Sequence, residues 1–385
     1  MQIKECELLI NITHMCNLRC RYCFVEKNYR AFGKTHDSSI MTPYTQDATF
    51  KFVENYGKYF DRIVLHFYGG EPFTHFEAMW RITEMALGSN SGIREKVAFS
   101  VTTNGTLIDR EKADFLNHFG YSVLISCDGP AEIHDSMRLT NDGEPTFAKV
   151  MDTIALLKGH QGIKLGLSAV IHRLNRLNNA YNFLKSLYPD FIKAEYVRVN
   201  EDHPFNLQAS EKEIYFQDVK QIADEVVLDL LEGCVPKDYR FNSRLLQLWR
   251  QIKRKEFCGA GSSILGVAAN GDIYPCSLLI GIRDCLLGNV FENMRPEKVK
   301  AFKQWHAASG KKGCRQCKIK DYCGGGCAAM WKTVQRGFCE YIQNEVDLAH
   351  YIYKRVVDLK PESFALLVSR AFYEQLTAIL GEENH

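Results

Sequence analysis

Cys16-Asn-Leu-Arg-Cys20-Arg-Tyr-Cys23 follows directly on the apolar run 8–12, and its three thiols decide how the rest of the chain is read. Three thiolates can hold three irons of a 4Fe–4S cubane and leave the fourth iron without a protein ligand. An iron left open suggests a place where something is bound and reduced. The plainer alternatives are a zinc site or ordinary buried cysteines. Zinc takes four ligands in paired knuckles, and His14 is the only fourth donor nearby.

Outward from this stretch, the 385 residues are long for one domain and comfortable for two. A hydrophobic fraction of 46% suits a sizeable core. The net charge of +2 gives no general attraction to nucleic acid or membrane. No run approaches the ~18 apolar residues of a membrane span. The N-terminus lacks the apolar segment of a secretory signal, so a cytoplasmic location is expected. Fourteen cysteines in a reducing compartment then read as metal ligands or catalytic thiols, not disulfides. They cluster: three at the front and Cys258, Cys276, Cys285, Cys314, Cys317, Cys323, Cys327 and Cys339 in the last third. The isolated Cys6, Cys127 and Cys234 are expected to be buried small hydrophobes.

Short apolar runs at 8–13, 63–68, 97–103, 122–127, 164–171 and 195–199 read as strands. Amphipathic stretches separate them. Phe52, Val53, Tyr56 and Phe60 share one helical face, as do Phe147, Val150, Met151, Ile154 and Leu157. Alternating strands and helices predict a parallel α/β sheet, and six such units predict a partial (β/α)6 TIM-like barrel over 1–205. Ligands should gather at the carboxyl ends of its strands, where the three-cysteine loop lies. Residues 206–257 read as a helical bridge, with one stripe made of Ile214, Val219, Ile222, Val226 and Leu230 and another of Leu245, Leu248, Trp249 and Ile252. A small Cys-rich domain at 258–345 carries a hairpin signal at Asn270-Gly271, and 346–385 reads as a helical tail.

Turn motifs recur after successive strands: Tyr68-Gly69-Gly70-Glu71-Pro72, Thr102-Thr103-Asn104-Gly105-Thr106, and Ser126-Cys127-Asp128-Gly129-Pro130 with His134-Asp135 and Arg138 beyond. The paired glycines suggest that a ligand approaches the backbone there. Each motif alone is common turn chemistry; together they line one pocket.

The three-cysteine loop followed by Gly-Gly-Glu-Pro resembles the radical S-adenosylmethionine (radical SAM) superfamily. The Thr-Asn-Gly-Thr and Ser-x-Asp-Gly segments resemble its branch of anaerobic sulfatase maturases and peptide maturases. In that family the open iron chelates S-adenosylmethionine, and the 5′-deoxyadenosyl radical made from it abstracts a substrate hydrogen. The resemblance implies Cys16, Cys20 and Cys23 as cluster ligands. It places Tyr22 on the adenine, Gly69, Gly70 and Glu71 near the methionyl amino group, and Ser126 and Arg138 at the ribose and carboxylate. Asn104 and Asp128 belong to the same pocket, though Asp128 also reads as a turn residue and Arg138 as a surface ion pair.

The C-terminal spacing Cys258-x12-Gly271-x4-Cys276, then Cys314-x2-Cys317-x5-Cys323-x3-Cys327 and Cys339, resembles a SPASM domain. That resemblance implies two auxiliary 4Fe–4S clusters, three clusters in all. Cys314, Cys317, Cys323 and Cys339 would hold the second and Cys258, Cys276 and Cys327 three irons of the first. The first then keeps an open iron or takes Cys285 as fourth ligand. Sulfatase maturases carry an Asp base directly after the cysteine matching Cys276, and this chain has Ser277, which has no useful basicity. The expected activity is therefore modification of a ribosomally made precursor peptide by formation of a Cys thioether. Formylglycine formation, epimerisation and carbon–carbon cross-linking are the alternatives, and a non-catalytic iron–sulfur protein a further one. Little chain precedes Cys16, so peptide recognition falls to the barrel, to the C-terminal helices or to a separate leader-binding protein. The basic run Lys311, Lys312, Arg315, Lys318 and Lys320 reads as a solvated face or a dock for an acidic electron donor such as flavodoxin or ferredoxin.

Overall fold

The computed structural model describes residues 4–23, 40–334 and 338–368. Six strands run parallel in sequence order: β1 (Glu5–Thr13), β2 (Arg62–Gly69), β3 (Val97–Thr103), β4 (Ser122–Ser126), β5 (Lys164–Ile171) and β6 (Phe191–Tyr196). The helices between them are α1 (Pro43–Gly57), α2 (Phe76–Gly88), α3 (Arg110–His118), α4 (Ala131–Met137), α5 (Phe147–Lys158) and α6 (Leu177–Ser186). This is the α/β parallel sheet expected of the TIM-like barrel.

Strand period explains how the sheet is used. On β1, Cys6, Leu8, Ile10 and Ile12 are fully buried, in one core with Val53, Met79, Leu116 and Ile154 of the covering helices. The alternate residues form the other face, and many of them are polar. Leu9, His66, Ser100 and Ser122 stand in register across four strands, and Ser126, Ser168 and Lys193 across three. Most remain partly accessible, so this face lines a hollow instead of filling a core.

β6 begins four residues before the run read from sequence, because Lys193 and Glu195 alternate with buried Ile192 and Ala194 and break the apolar signal. Beyond it come the two helices α7 (Ala209–Glu232) and α8 (Asn242–Trp249). Ile214 is exposed and drops out of the α7 stripe, replaced by Tyr215 and Asp218. Trp249 and Ile252 are likewise exposed. Asp218 is buried because the Arg176 guanidinium grips it, with contacts of 2.8–3.1 Å. Cys234 is exposed, contrary to expectation, since the α7 helix has already ended in a left-handed Gly233 cap.

The hairpin at Asn270-Gly271 forms between β7 (Ile264–Val267) and β8 (Asp272–Tyr274). It does not stand apart from the barrel. β7 pairs in parallel with β1, giving one ten-stranded sheet that continues through β8 to β9 (Gly288–Asn289) and β10 (Asn293–Met294). Helices α9 (Pro296–His306), α10 (Lys320–Cys323), α11 (Ala328–Thr333) and α12 (Cys339–Val357) follow. Tyr341 of α12 stacks on Tyr196 at the end of β6, with centroids 3.8 Å apart. A 3-10 turn at Pro361–Val368 ends the described chain, and the helical reading of the last residues lies outside it.

Gly266 on β7 is pressed against the backbone that follows β8. A Cβ there would lie 2.7 Å from the Cys276 carbonyl carbon and 2.8 Å from the Ser277 nitrogen. Gly266→Ala should therefore cost ~1–3 kcal/mol and lower iron content after reconstitution. Gly88→Ala, which meets nothing within 4 Å, should leave the melting curve and iron content unchanged.

Candidate functional site

The Cys16–Cys23 loop is held from three strand ends. From β2, Gly70 N–H donates to the Thr13 carbonyl (3.0 Å) and Glu71 N–H to that of Met15 (2.8 Å). A Cβ on Gly70 would sit 2.2 Å from the Met15 oxygen. The paired glycines thus admit the chain's own loop, where the sequence suggested a ligand. From β3, the Asn104 amide donates to Asn17 Oδ1 (2.9 Å) and lies 3.9 Å from Cys16 Sγ, while Asn17 donates to Thr106 (2.8 Å). From β4, the segment after α4 runs alongside the loop, taking Arg19 N–H on Leu139 O and Arg21 N–H on Met137 O.

Two buried carboxylates anchor these segments. Glu71 is fully buried and accepts from Asn104 N–H (2.7 Å), Thr103 Oγ1 (2.7 Å) and Phe73 N–H (3.1 Å). Burial pushes its carboxyl up to about 7 against those three donors. Asp128, also fully buried, accepts from Arg138 Nε (3.0 Å) and Nη2 (3.2 Å), from Val170 N–H (3.0 Å) and from the Tyr22 hydroxyl. The Arg138 charge holds it below the ordinary carboxylate range despite desolvation. Asp128 is thus neither a turn residue nor a cap, and Arg138 is a buried partner of it, not a surface one. Arg138 also lies 5.4 Å from the Tyr22 ring centroid, and His172 lies 6.0 Å from the same ring. His172, just past β5, is fully buried with no partner for Nε2.

Burial raises Cys16 to about 12 and Cys20 to about 11, with Arg138 partly offsetting the shift at Cys20. The three thiols bear on one another electrostatically. Among the described residues, no three His, Cys, Asp or Glu side chains converge on one point as the ligands of a single ion would. A cubane takes each cysteine on a separate iron, and neighbouring soft thiols that burial leaves protonated fit that demand once iron displaces their protons.

The hollow continues past Tyr68, which Cys23, Arg138, Arg198 and Glu195 all influence. Glu195 on β6 pairs with Arg198 just beyond it. Both side chains are only half-buried, at 37% and 36% exposure. Cys327 bears on Arg198 from the far side. Charge interactions thus link the first cysteine group, through Tyr68 and Arg198, to a second, where Cys258, Cys276 and Cys327 influence each other. Cys317 bears on Cys323, and Cys314 lies near Lys311. Cys339 opens α12 and is exposed. The charges acting on buried Cys285 are those of Lys332 and Asp284. Ser126 sits on the hollow face opposite Ser168.

Tyr68, His172, Glu195 and Arg198 were not singled out from sequence. Their only signal there is polar or aromatic residues at period two on strand ends. The basic run also divides: Lys311 is buried, its ammonium 5.1 Å from the Trp305 ring, and only the other four face solvent.

The Radical SAM superfamily model matches residues 10–176. Residues 10–176 form a radical SAM domain, and the chain is a radical SAM enzyme. Such a domain works with a 4Fe–4S cluster and S-adenosylmethionine. The chain is 26% identical over 369 residues to the cysteine-type anaerobic sulfatase-maturating enzyme of Clostridium perfringens, covering 89% of this chain and 95% of that one. It is 25% identical to the subtilosin biosynthesis protein AlbA of Bacillus subtilis, covering 87% and 70%. The fold superposes on native anSMEcpe with bound AdoMet and Cp18Cys peptide with a TM-score of 0.75, at 23% identity over 91% of this chain and 98% of that one. Among the described residues no helix is long and apolar enough to cross a membrane.

Glu71 gives this site a pH signature. A carboxyl raised from 4.5 to about 7 stabilises the fold below pH 4.5 and loses that contribution as pH climbs through about 7. Urea unfolding should show wild type losing about 3 kcal/mol relative to Glu71→Gln across that window. Parallel pH profiles would contradict this.

Proposed function

We propose that the enzyme modifies a cysteine-containing peptide, joining a Cys sulfur to a carbon of another residue, and that the C-terminal cysteines hold two auxiliary 4Fe–4S clusters. The observation that carries the reading is that Tyr68 feels both Cys23 and Arg198 while Arg198 feels Cys327, which ties the Cys16–Cys23 loop to the Cys258, Cys276 and Cys327 group, with Ser277 where a base would stand. When bound, the loop's cluster and S-adenosylmethionine supply a carbon radical that removes a hydrogen atom. The chain's residues do the remaining work. Tyr22, Ser126, Arg138 and His172 surround the nucleoside side of the pocket. Arg138 contributes through its buried pair with Asp128, which fixes Tyr22.

Across the cavity, the Arg198–Glu195 pair meets the peptide. A guanidinium with only part of its donors committed to Glu195 can bind peptide carbonyls or a carboxylate. The thiol loses its proton, the carbon loses its hydrogen, the C–S bond forms and one electron leaves. Cys258, Cys276 and Cys327 would hold a cluster that would supply a thiolate site and an acceptor for that electron, so a carboxylate base at position 277 would not be required. The exposed Lys312, Arg315, Lys318 and Lys320 suit docking of an acidic electron donor.

Formylglycine formation is the second reading, favoured by similarity to a sulfatase-maturating enzyme over nearly the whole chain. Mass spectrometry separates the two. A precursor peptide encoded beside the gene should lose two hydrogens and keep its sulfur. Loss of sulfur from a sulfatase-derived Cys peptide, with the precursor untouched, would decide for formylglycine. Cys16→Ala, Cys20→Ala or Cys23→Ala should abolish reductive cleavage of S-adenosylmethionine. Arg198→Ala should leave that cleavage intact without peptide and raise KM for peptide ~10-fold, the loss of one charged hydrogen bond. An unchanged KM would remove Arg198 from peptide binding.

A further inference from the structure

We infer that the Arg254 guanidinium is a counter-charge shared by the two auxiliary clusters, a positioning residue that raises the potential of both. The inference rests on reading the C-terminal cysteines as cluster ligands. Arg254 lies on the loop between α8 and Cys258. Its backbone N–H donates to the Asp321 carbonyl, two residues before Cys323, at 2.8 Å. Its Nη1 donates to the carbonyl of Phe257, the residue before Cys258, at 3.2 Å. One residue thus bonds to the approach of each cysteine group.

The two approaches are themselves pressed together. A Cβ on Gly324, next after Cys323, would lie 2.1 Å from the Glu256 carbonyl oxygen and 2.6 Å from the Phe257 nitrogen. Only glycine fits there, at a φ of +71°. Arg254 is bonded to both sides of that joint, and its Nη2 is buried and donates to nothing. A buried cationic donor left unused is costly and calls for an acceptor.

The neighbouring cations have partners. Arg244 donates from Nη2 to Glu345 and from Nη1 to the Tyr322 carbonyl, both at 3.3 Å. Lys311 donates to the His306 carbonyl and lies over the Trp305 ring. Among the described residues no carboxylate pairs with Arg254. Burial and the Arg244 charge act against its cation, and the groups that favour it are the thiols of Cys323 and Cys258, one from each group. Net charge and hydrogen bonds to sulfur set the potential of an iron–sulfur cluster. A cation with an uncommitted N–H can supply both, and it stabilises the reduced form that an electron released at the peptide would produce.

The test is an EPR-monitored redox titration of the reconstituted holoenzyme. Wild type should hold about twelve irons per chain, four for each of three cubanes. Arg254→Gln should keep that iron and lower both auxiliary potentials, by about tenfold in the reduction equilibrium or ~59 mV for one electron. The Cys16–Cys23 cluster potential and peptide-free cleavage of S-adenosylmethionine should not change. Arg254→Lys should restore most of the shift. Lys253→Gln removes the same charge from a neighbour that is 82% exposed, and should move neither potential. Unchanged potentials in Arg254→Gln, a shift in one auxiliary cluster alone, or an equal shift in Arg254→Lys would overturn the inference. Should Arg254→Gln lose auxiliary iron, Arg254→Lys decides: retained iron at near wild-type potentials supports the shared charge, and the same loss overturns it. About four irons in wild type with no auxiliary signal would instead overturn the cluster reading beneath it.

Discussion

Everything in this molecule hangs on β1 being paired in parallel on both of its edges. β2 on one side and β7 on the other leave no free backbone along its centre, so its end is a fixed point. The Cys16–Cys23 loop leaves from that end. Cys276 follows the strand hairpinned to β7, pressed against Gly266. One strand therefore sets the distance between the two cysteine groups. A chemistry that passes hydrogen at one site and an electron at another needs that distance constant, and a continuous sheet supplies the constancy that a linker could not.

The second requirement is room. A filled barrel carries layers of branched apolar side chains inside. Here the inward positions include Ser100, Ser122, Ser126, Ser168, His66, Tyr68 and Glu195 beside a few apolar residues such as Leu9 and Leu124, and most of the fully buried apolar residues face the helices instead. Removing the core from the barrel interior costs hydrophobic burial, and the outer layer, where Leu8, Ile10, Leu65, Val101 and Ile125 pack fully buried, makes up for it. The hollow is then spanned by ion pairs: Asp128–Arg138 near the first group and Glu195–Arg198 near the second. Each keeps a charged side chain at the cavity wall without leaving its partner uncompensated.

Much of this was legible in the sequence, and the reasons differ by feature. Cysteine spacing is local, so the loop at 16–23 stood out within the segment that matches the radical SAM model. Five of the six parallel strands were readable because their apolar runs are bounded by turns. What failed were contacts between residues far apart in the chain. Nothing local says that Ile264–Val267 pairs with β1, that Gly70 receives Met15, or that Asp128 collects Tyr22 and Arg138. Polar residues on strand ends were equally silent: Arg198 reads as an ordinary surface charge until the fold turns it inward.

The central claim is that the peptide lies in the cavity between the two cysteine groups, within reach of the radical formed at the first. Transfer of deuterium tests it most directly. With a precursor peptide deuterated at the carbon that receives the sulfur, the 5′-deoxyadenosine recovered after turnover should carry deuterium in proportion to product. Deuterium-free 5′-deoxyadenosine alongside modified peptide would contradict the account.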